Sequence, residues 1–122
     1  MPNLNKVFLM GHLTRDVDLR YTPSGAAVAN MGLAVNHRYK SGDEWKEEVC
    51  FVDITVWGAT GERCNEYLKK GSAAFIEGRL QFRSWETDDK QKRSKLDVVA
   101  DRVQFLGGKD NPDNVADENI PF

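Results

Sequence analysis

Aromatic side chains fall on polar faces along two stretches of this chain, one of them also carrying arginines, at a spacing that suits stacking and ion pairing. In "EVCFVDITVW" (48–57), Phe51 and Trp57 fall in step with Asp53 and Thr55, opposite Cys50, Val52, Ile54 and Val56. In "SAAFIEGRLQFRSW" (72–85), Arg79, Arg83 and Trp85 fall in step with Glu77 and Gln81, opposite Ala74, Ile76, Leu80 and Phe82. A strand turns alternate residues to opposite faces, so each stretch has an apolar face and a face of rings mixed with polar groups. A third group, Arg38, Tyr39 and Lys40, opens the segment "HRYKSGDEWKEE". Rings on polar faces are costly to leave in water and mark a binding surface when they cluster. Single-stranded nucleic acid suits such a surface, because bases stack on rings while Lys and Arg follow the phosphates. Each stacked base is worth about 1–3 kcal/mol, whatever its identity. One aromatic alone would be read as packing under a loop, and Trp45 in the acidic "GDEWKEE" is read that way. Phe51, Trp57 and Trp85 together favour the binding surface.

Other chemistries find less support. His12 and His37 have no nucleophile near them in sequence, and no paired carboxylates stand out. "GATG" (58–61) lacks the Lys-Ser/Thr of a phosphate-binding loop and the third glycine of a dinucleotide site, and reads as a tight turn into a helix. Cys50 and Cys64 form no C-x-x-C pair and have no zinc spacing to the histidines. No metal, cofactor, disulfide or catalytic activity is expected. The longest apolar run near the start is "VFLM", too short for a signal peptide or a membrane span, so a soluble cytoplasmic protein is expected.

The charge is unevenly divided. The chain of 122 residues carries a formal net charge of -2. Residues 107–122 hold one Lys and four acids, which is -3, and the other 106 residues hold 16 basic and 15 acidic side chains, which is +1. The acidity therefore sits in the tail, and a near-neutral body is free to carry a basic face.

The elements that must position these residues follow from hydrophobic periodicity. "NKVFLMGHL" (5–13) reads as a strand with Val7, Leu9 and Leu13 on one face. "AVANMGLAVN" (27–36) places Ala29, Met31, Leu33 and Val35 together, after the turn signal "YTPSG". Segments 48–57 and 72–85 are the next strands, with Cys50, Val52, Ile54 and Val56, and then Ala74, Ile76, Leu80 and Phe82, expected in the core. Between them "TGERCNEYLKKG" (60–71) reads as a helix. Thr60 would cap it, Cys64, Tyr67 and Leu68 would be its buried stripe, Lys69 and Lys70 would complement its dipole, and Gly71 would stop it. "ETDDKQKRS" (86–94) is a polar hairpin tip. In the last strand, "KLDVVADRVQFL" (95–106), the apolar phase shifts from Leu96 and Val98 to Val103 and Phe105, which predicts a bulge near Ala100–Arg102.

Three strands, a helix and two more strands is the order of an OB-fold, a five-stranded barrel that binds oligonucleotides. Closure removes the exposed edges that a flat sheet of this size would leave. An α+β sandwich with the helix over one face is the alternative. The chain divides into a body, 1–106, and a tail, 107–122, expected to be disordered because it has no periodicity and little apolar surface.

Three stretches carry a resemblance. "NKVFLMGHLTRDVDLRYTPSGAAVANMGLAVN", then "EYLKKGSAAFIEGRL" followed by Trp85, and finally "DENIPF" resemble the opening, middle and acidic tip of bacterial single-stranded DNA-binding proteins. The resemblance covers residues 4 to about 108 and the last six. It implies an OB-fold that binds single-stranded DNA without sequence preference, in a homotetramer around which the strand wraps. It implies a stacking platform at Tyr39, Phe51, Trp57 and Trp85, where Tyr39 and Phe51 stand in place of Trp and Trp57 in place of Phe. It also implies phosphate contacts at Lys6, Lys70 and Arg83, to which strand phase adds Arg79.

The tip implies protein partners from replication, recombination and repair, docking through Asp117, Glu118, Ile120, Pro121 and Phe122. Phe122 would fill an apolar pocket while its carboxylate meets a cation. Pro121 would limit the ordering cost, and Asp117 and Glu118 would face a basic rim. The family often has a long Gly/Gln/Pro-rich linker before this tip. Here about ten residues fill that role, a reach on the order of 30 Å. A protein–protein adaptor built on the same barrel is a competing reading, as is an RNA-binding module or a small enzyme. The exposed aromatic-basic face favours the DNA-binding reading.

Overall fold

β-branched and aromatic residues in alternation favour extended backbone, and most of the chain takes it up. The computed structural model describes residues 2–106. Its elements are β1 (Val7–Leu13), β2 (Asp18–Tyr21), β3 (Ala27–Ser41), β4 (Glu44–Trp57), α1 (Gly58–Tyr67), β5 (Ala73–Glu86) and β6 (Lys92–Leu106). The strands run in the order β1-β5-β6-β4-β3-β2, and β1 also pairs with β3 through His12↔Ala34 and Leu13↔Leu33. That last pairing closes β1, β5, β6, β4 and β3 into the five-stranded barrel of an OB-fold. β2 lies outside the ring on the flank of β3, with Asp18↔Asn30 and Tyr21↔Ala27 as its end pairs. The helix follows the third barrel strand of the expected order and becomes the element between β4 and β5 once β2 is counted. Strand β2 has four residues and only Leu19 partly buried, too little periodicity to mark in the sequence.

The barrel is filled by inward-facing residues of every ring strand. Leu13, Ala29, Met31, Leu33, Ile54, Val56, Ala74, Ile76, Val98 and Ala100 form one buried cluster. Cys64 of α1 and Leu68 just after it join the cluster at one end. Two glycines permit close strand approach. A Cβ on Gly11 would run into the Ala34 carbonyl where β1 meets β3, and one on Gly78 would run into the Val99 carbonyl. Gly78 also sits at the irregularity that sequence phase predicted. Glu77 pairs with Arg102 and Gly78 with Ala100, so Asp101 of β6 is the extra residue of a bulge.

Several expectations need correction. The helix starts at Gly58, whose φ of +73° turns the chain straight out of β4, and no side chain caps it. Thr60 is therefore inside the helix. The helix ends at Tyr67, so Lys69 and Lys70 lie beyond its last turn. Tyr67 is exposed and packs its ring against Phe105, with centroids 5.8 Å apart.

The largest correction concerns the strand ends. Segment 37–47, outside the strands expected at 27–36 and 48–57, continues β3 and β4 in unbroken register to Ser41↔Glu44. β5 and β6 stay paired to Glu86↔Lys92. β4 and β6, however, pair only where Ile54–Val56 meets Val98–Ala100. Two hairpin arms therefore run past the closed barrel. Cys50, Leu80, Phe82 and Leu96 have the parity of core residues but lie on these arms and are exposed.

Candidate nucleic-acid interface

Residues opposed across an antiparallel ladder share a face, so register decides which side chains meet. On β4 and β3 the pairs Phe51↔Ala34, Asp53↔Gly32, Thr55↔Asn30 and Trp57↔Val28 form one outward row. Phe51 stands at one end, 73% exposed, and Trp57 at the other, 50% exposed. Six residue steps separate them, about 20 Å along the strand. The floor between is small and polar: Gly32, Asn30 and Thr55, whose hydroxyl lies 3.2 Å from the Asn30 side-chain oxygen.

On β5 and β6 the row on the side away from the barrel core is Arg79↔Val99, Gln81↔Asp97, Arg83↔Lys95 and Trp85↔Arg93, in which Val99 and Asp97 are covered. Trp85 is 48% exposed, with Arg93 directly opposite and Arg83 two residues back on the same face. The structure thus places Phe51 and Trp57 on the outward face of β4, and Arg79, Arg83 and Trp85 on that of β5, with β6 between the two strands.

Tyr39 is placed differently. It pairs with Lys46, so on the β3–β4 arm it belongs to the pleat face opposite that of Phe51. It is 38% exposed and stacks on His37 at 6.0 Å. Trp45, read as packing, is exposed on the arm, and the Arg38 guanidinium lies 5.2 Å from the centre of its ring.

The expected cations are mostly engaged already. Lys6 pairs with Glu77 at 2.8 Å, Arg79 with Asp101 at 3.1 Å and Arg83 with Asp97 at 2.5 Å. The Lys6–Glu77 hydrogen bond holds the Glu77 carboxyl below the usual carboxylate range and raises the Lys6 ammonium. Exposed pairs of this kind are worth little, so phosphate can exchange for the carboxylate. Lys70 differs: its side chain makes no ion pair among the described residues, while its backbone N–H donates to Asp16 Oδ1 at 2.8 Å and fixes it at the barrel end.

Arg83 is a special case. Asp97 is buried, and neither of its carboxylate oxygens has a hydrogen bond of good geometry, so Arg83 is its sole counter-charge among the described residues. Half of the Arg83 side chain remains exposed, and a guanidinium has five N–H donors. It can hold Asp97 and still meet a phosphate.

Several outward residues escaped the sequence reading. Phe8 and Met10 of β1 are exposed, and Phe8 stacks on Phe75 of β5 at 6.3 Å. The signal was present in "VFLM", where both strand faces are apolar. Lys95, Arg93 and Arg15 also lie at this surface. Lys95 reaches Asp53 on the neighbouring β4, and Arg15 reaches the same carboxylate from the β1–β2 connection at 3.5 Å. Neither contact could be read from spacing, since partners lie 42 and 38 residues apart. The Lys95 hydrogen bond holds the Asp53 carboxyl below the usual carboxylate range, with Arg15 adding to it and burial partly opposing it.

A family model described as the Single-strand binding protein family matches residues 4–106. The chain belongs to that family. It is a family of binding proteins, not of enzymes. A "Single-stranded DNA-binding protein" of Wolinella succinogenes is 54% identical over 106 residues, covering 86% of this chain and 65% of that one. One of Helicobacter pylori is 48% identical over 110 residues, covering 88% and 62%. The chain thus spans a little under two thirds of the length of these relatives.

Among solved structures, a deletion mutant of the single-stranded DNA binding protein from Thermus aquaticus is 36% identical. It superposes with a TM-score of 0.78 over 87% of this chain and 52% of that one. A Plasmodium falciparum SSB complex with ssDNA superposes with a TM-score of 0.82 at 24% identity, over 88% and 98%, and bears on the fold alone. The matched region is the barrel with its arms. No helix among the described residues is long and apolar enough to cross a membrane. Asp117, Glu118, Ile120, Pro121 and Phe122, with the rest of 107–122, lie outside the described residues.

Proposed function

We propose that this chain binds single-stranded DNA without sequence preference, along the outward faces of β4, β5 and β6. The observation that carries this reading is the exposure of Phe51, Trp57 and Trp85, from 48% to 73%, on rows that also hold Arg79, Arg83, Lys95 and Arg93. Rings in that setting stack bases, and cations between them follow the backbone. Lys6 and Lys70 extend the path at its edges, and Tyr39 serves from the arm. Family membership and relatives named for single-stranded DNA binding support the same reading.

The wider role follows from it. The body, 1–106, protects single strands exposed in replication, recombination and repair, in the cytoplasm at the nucleoid. The tail, 107–122, recruits genome-maintenance proteins through Asp117, Glu118, Ile120, Pro121 and Phe122. Four copies assemble, and the uncovered apolar residues Leu80, Phe82 and Leu96 on the β5–β6 arm support burial by a neighbouring copy.

The test is titration with dT oligomers, following Trp fluorescence at about 50 and about 200 mM salt. Quenching with salt-sensitive affinity is expected. Trp57→Ala and Trp85→Ala should each weaken binding by about 1–3 kcal/mol while the barrel stays folded. Normal binding by both folded variants would overturn the platform. A pull-down with the tail tip deleted should lose protein partners and keep DNA, and light scattering at a single chain mass would refute the tetramer.

A further inference from the structure

Asp53 is out of place on a surface for phosphate. It lies on the outward row of β4 between Phe51 and Trp57, where a bound strand would cross from one ring to the other. Its carboxylate takes two cations at once, Lys95 through Oδ2 and Arg15 through Oδ1. All three side chains remain substantially exposed, at 37% for Asp53, 40% for Lys95 and 50% for Arg15. Gly32 makes the arrangement possible. It faces Asp53 across the ladder, and a Cβ there would collide with the Arg15 guanidinium and the Thr14 hydroxyl. The Thr14 N–H also donates to the Gly32 carbonyl at 2.9 Å, which pins the connection carrying Arg15 over β3.

Asp53 differs in kind from Asp97. Asp97 is buried, so Arg83 cannot leave it without stranding a charge. Asp53 faces water, so its two cations can exchange partners at little cost. It differs from Glu77 and Asp101 in position as well, since neither of those lies between two aromatic rings of one strand.

We propose that Asp53 is an affinity-limiting residue of this face. It competes with phosphate for Lys95 and Arg15 and keeps single-strand binding weaker and less salt-dependent than the cations alone would make it. The inference rests on the DNA-binding reading above. A bound phosphate entering between Phe51 and Trp57 meets two cations already half neutralised, and it also meets the carboxylate's own charge within a Debye length. Each phosphate neutralised on a single strand contributes about 0.7 to the salt slope, so cations shared with Asp53 contribute less than that.

The experiment is dT titration of the full chain with Asp53→Asn, and with Asp53→Ser as a second neutral replacement, across a salt series. Roughly fivefold tighter binding at low salt is expected, with a slope steeper by up to about 1.4 for two released cations. Glu66→Gln makes the same change in net charge on the helix and should give a much smaller gain. In a Lys95→Met, Arg15→Met background, Asp53→Asn should lose most of its effect, because the cations it holds are gone. Unchanged or weaker binding by the folded Asp53 variants, or a gain no larger than that of Glu66→Gln, would overturn the proposal. Failure of the unaltered protein to bind dT at all would instead overturn the DNA-binding reading, a result separate from either.

Discussion

The two arms continue four of the barrel's five strands, yet barrel and arms treat the same alternation in opposite ways. Within the ring, Ile54, Val56, Ile76 and Val98 are sealed by strands on both sides and by Cys64 and Leu68 at the end. A few residues along, Cys50, Leu80, Phe82 and Leu96 keep the same parity and stand in water, because β4 and β6 part after Ile54↔Val98. Periodicity therefore reports which face a residue belongs to, and closure reports whether that face is covered. The arms gain surface at the expense of core, and that surface carries Phe51 and Trp85.

The two cysteines give the sharpest contrast. Cys64 is buried in the barrel, and burial pushes its thiol up to about 11, whereas Cys50 is exposed on the β4 arm. A thiol reagent at neutral pH should label Cys50 directly and Cys64 only through unfolding, at least about a thousandfold more slowly. Mass spectrometry of a time course reads both sites. Comparable rates would mean that the barrel opens locally at α1.

Truncation tests the same divide energetically. Ile54→Ala should cost about 2–5 kcal/mol in urea unfolding, as buried aliphatic deletions do. Phe82→Ala on the arm should cost under about 1 kcal/mol if one chain is the unit that unfolds. Equal losses would show that something covers the arm in solution, and a second copy is the occupant proposed above.

The two arginines of β5 should separate as well. Arg83→Ala leaves the buried Asp97 carboxylate without its counter-charge and should destabilise folding by about 3–5 kcal/mol. Arg79→Ala removes an exposed partner of Asp101 and should cost no more than about 1 kcal/mol. Urea midpoints of the two variants decide it, and similar values would mean that Asp97 finds other support.

The smallest effect is on pH dependence. The Asp53 carboxyl is held low by Lys95, so its pair adds stability above the unfolded value near pH 4 and loses it as pH falls through the folded value. Acid should therefore destabilise the unaltered protein slightly more than Asp53→Asn. Unfolding midpoints from about pH 6 to about pH 2 would show the difference, and parallel curves would mean that the pair contributes nothing to folding.

Much of this was legible in the sequence, for local physical reasons. Alternation in 27–36 and 48–57 assigned Met31, Leu33, Ile54 and Val56 to one face, and the barrel buries all of them. The phase change in 95–106 marked the bulge that the structure places at Asp101. Rings on polar faces marked Phe51, Trp57 and Trp85. Tertiary structure alone decided the rest. Where a strand leaves the ring depends on where its neighbours stop pairing, which no single strand encodes, so Leu80 and Phe82 looked like core. Which carboxylate meets which cation depends on register between strands far apart in the chain. Arg79, Arg83 and Lys6 read as phosphate ligands until folding set each cation beside a carboxylate and brought Lys95 and Arg15 to Asp53.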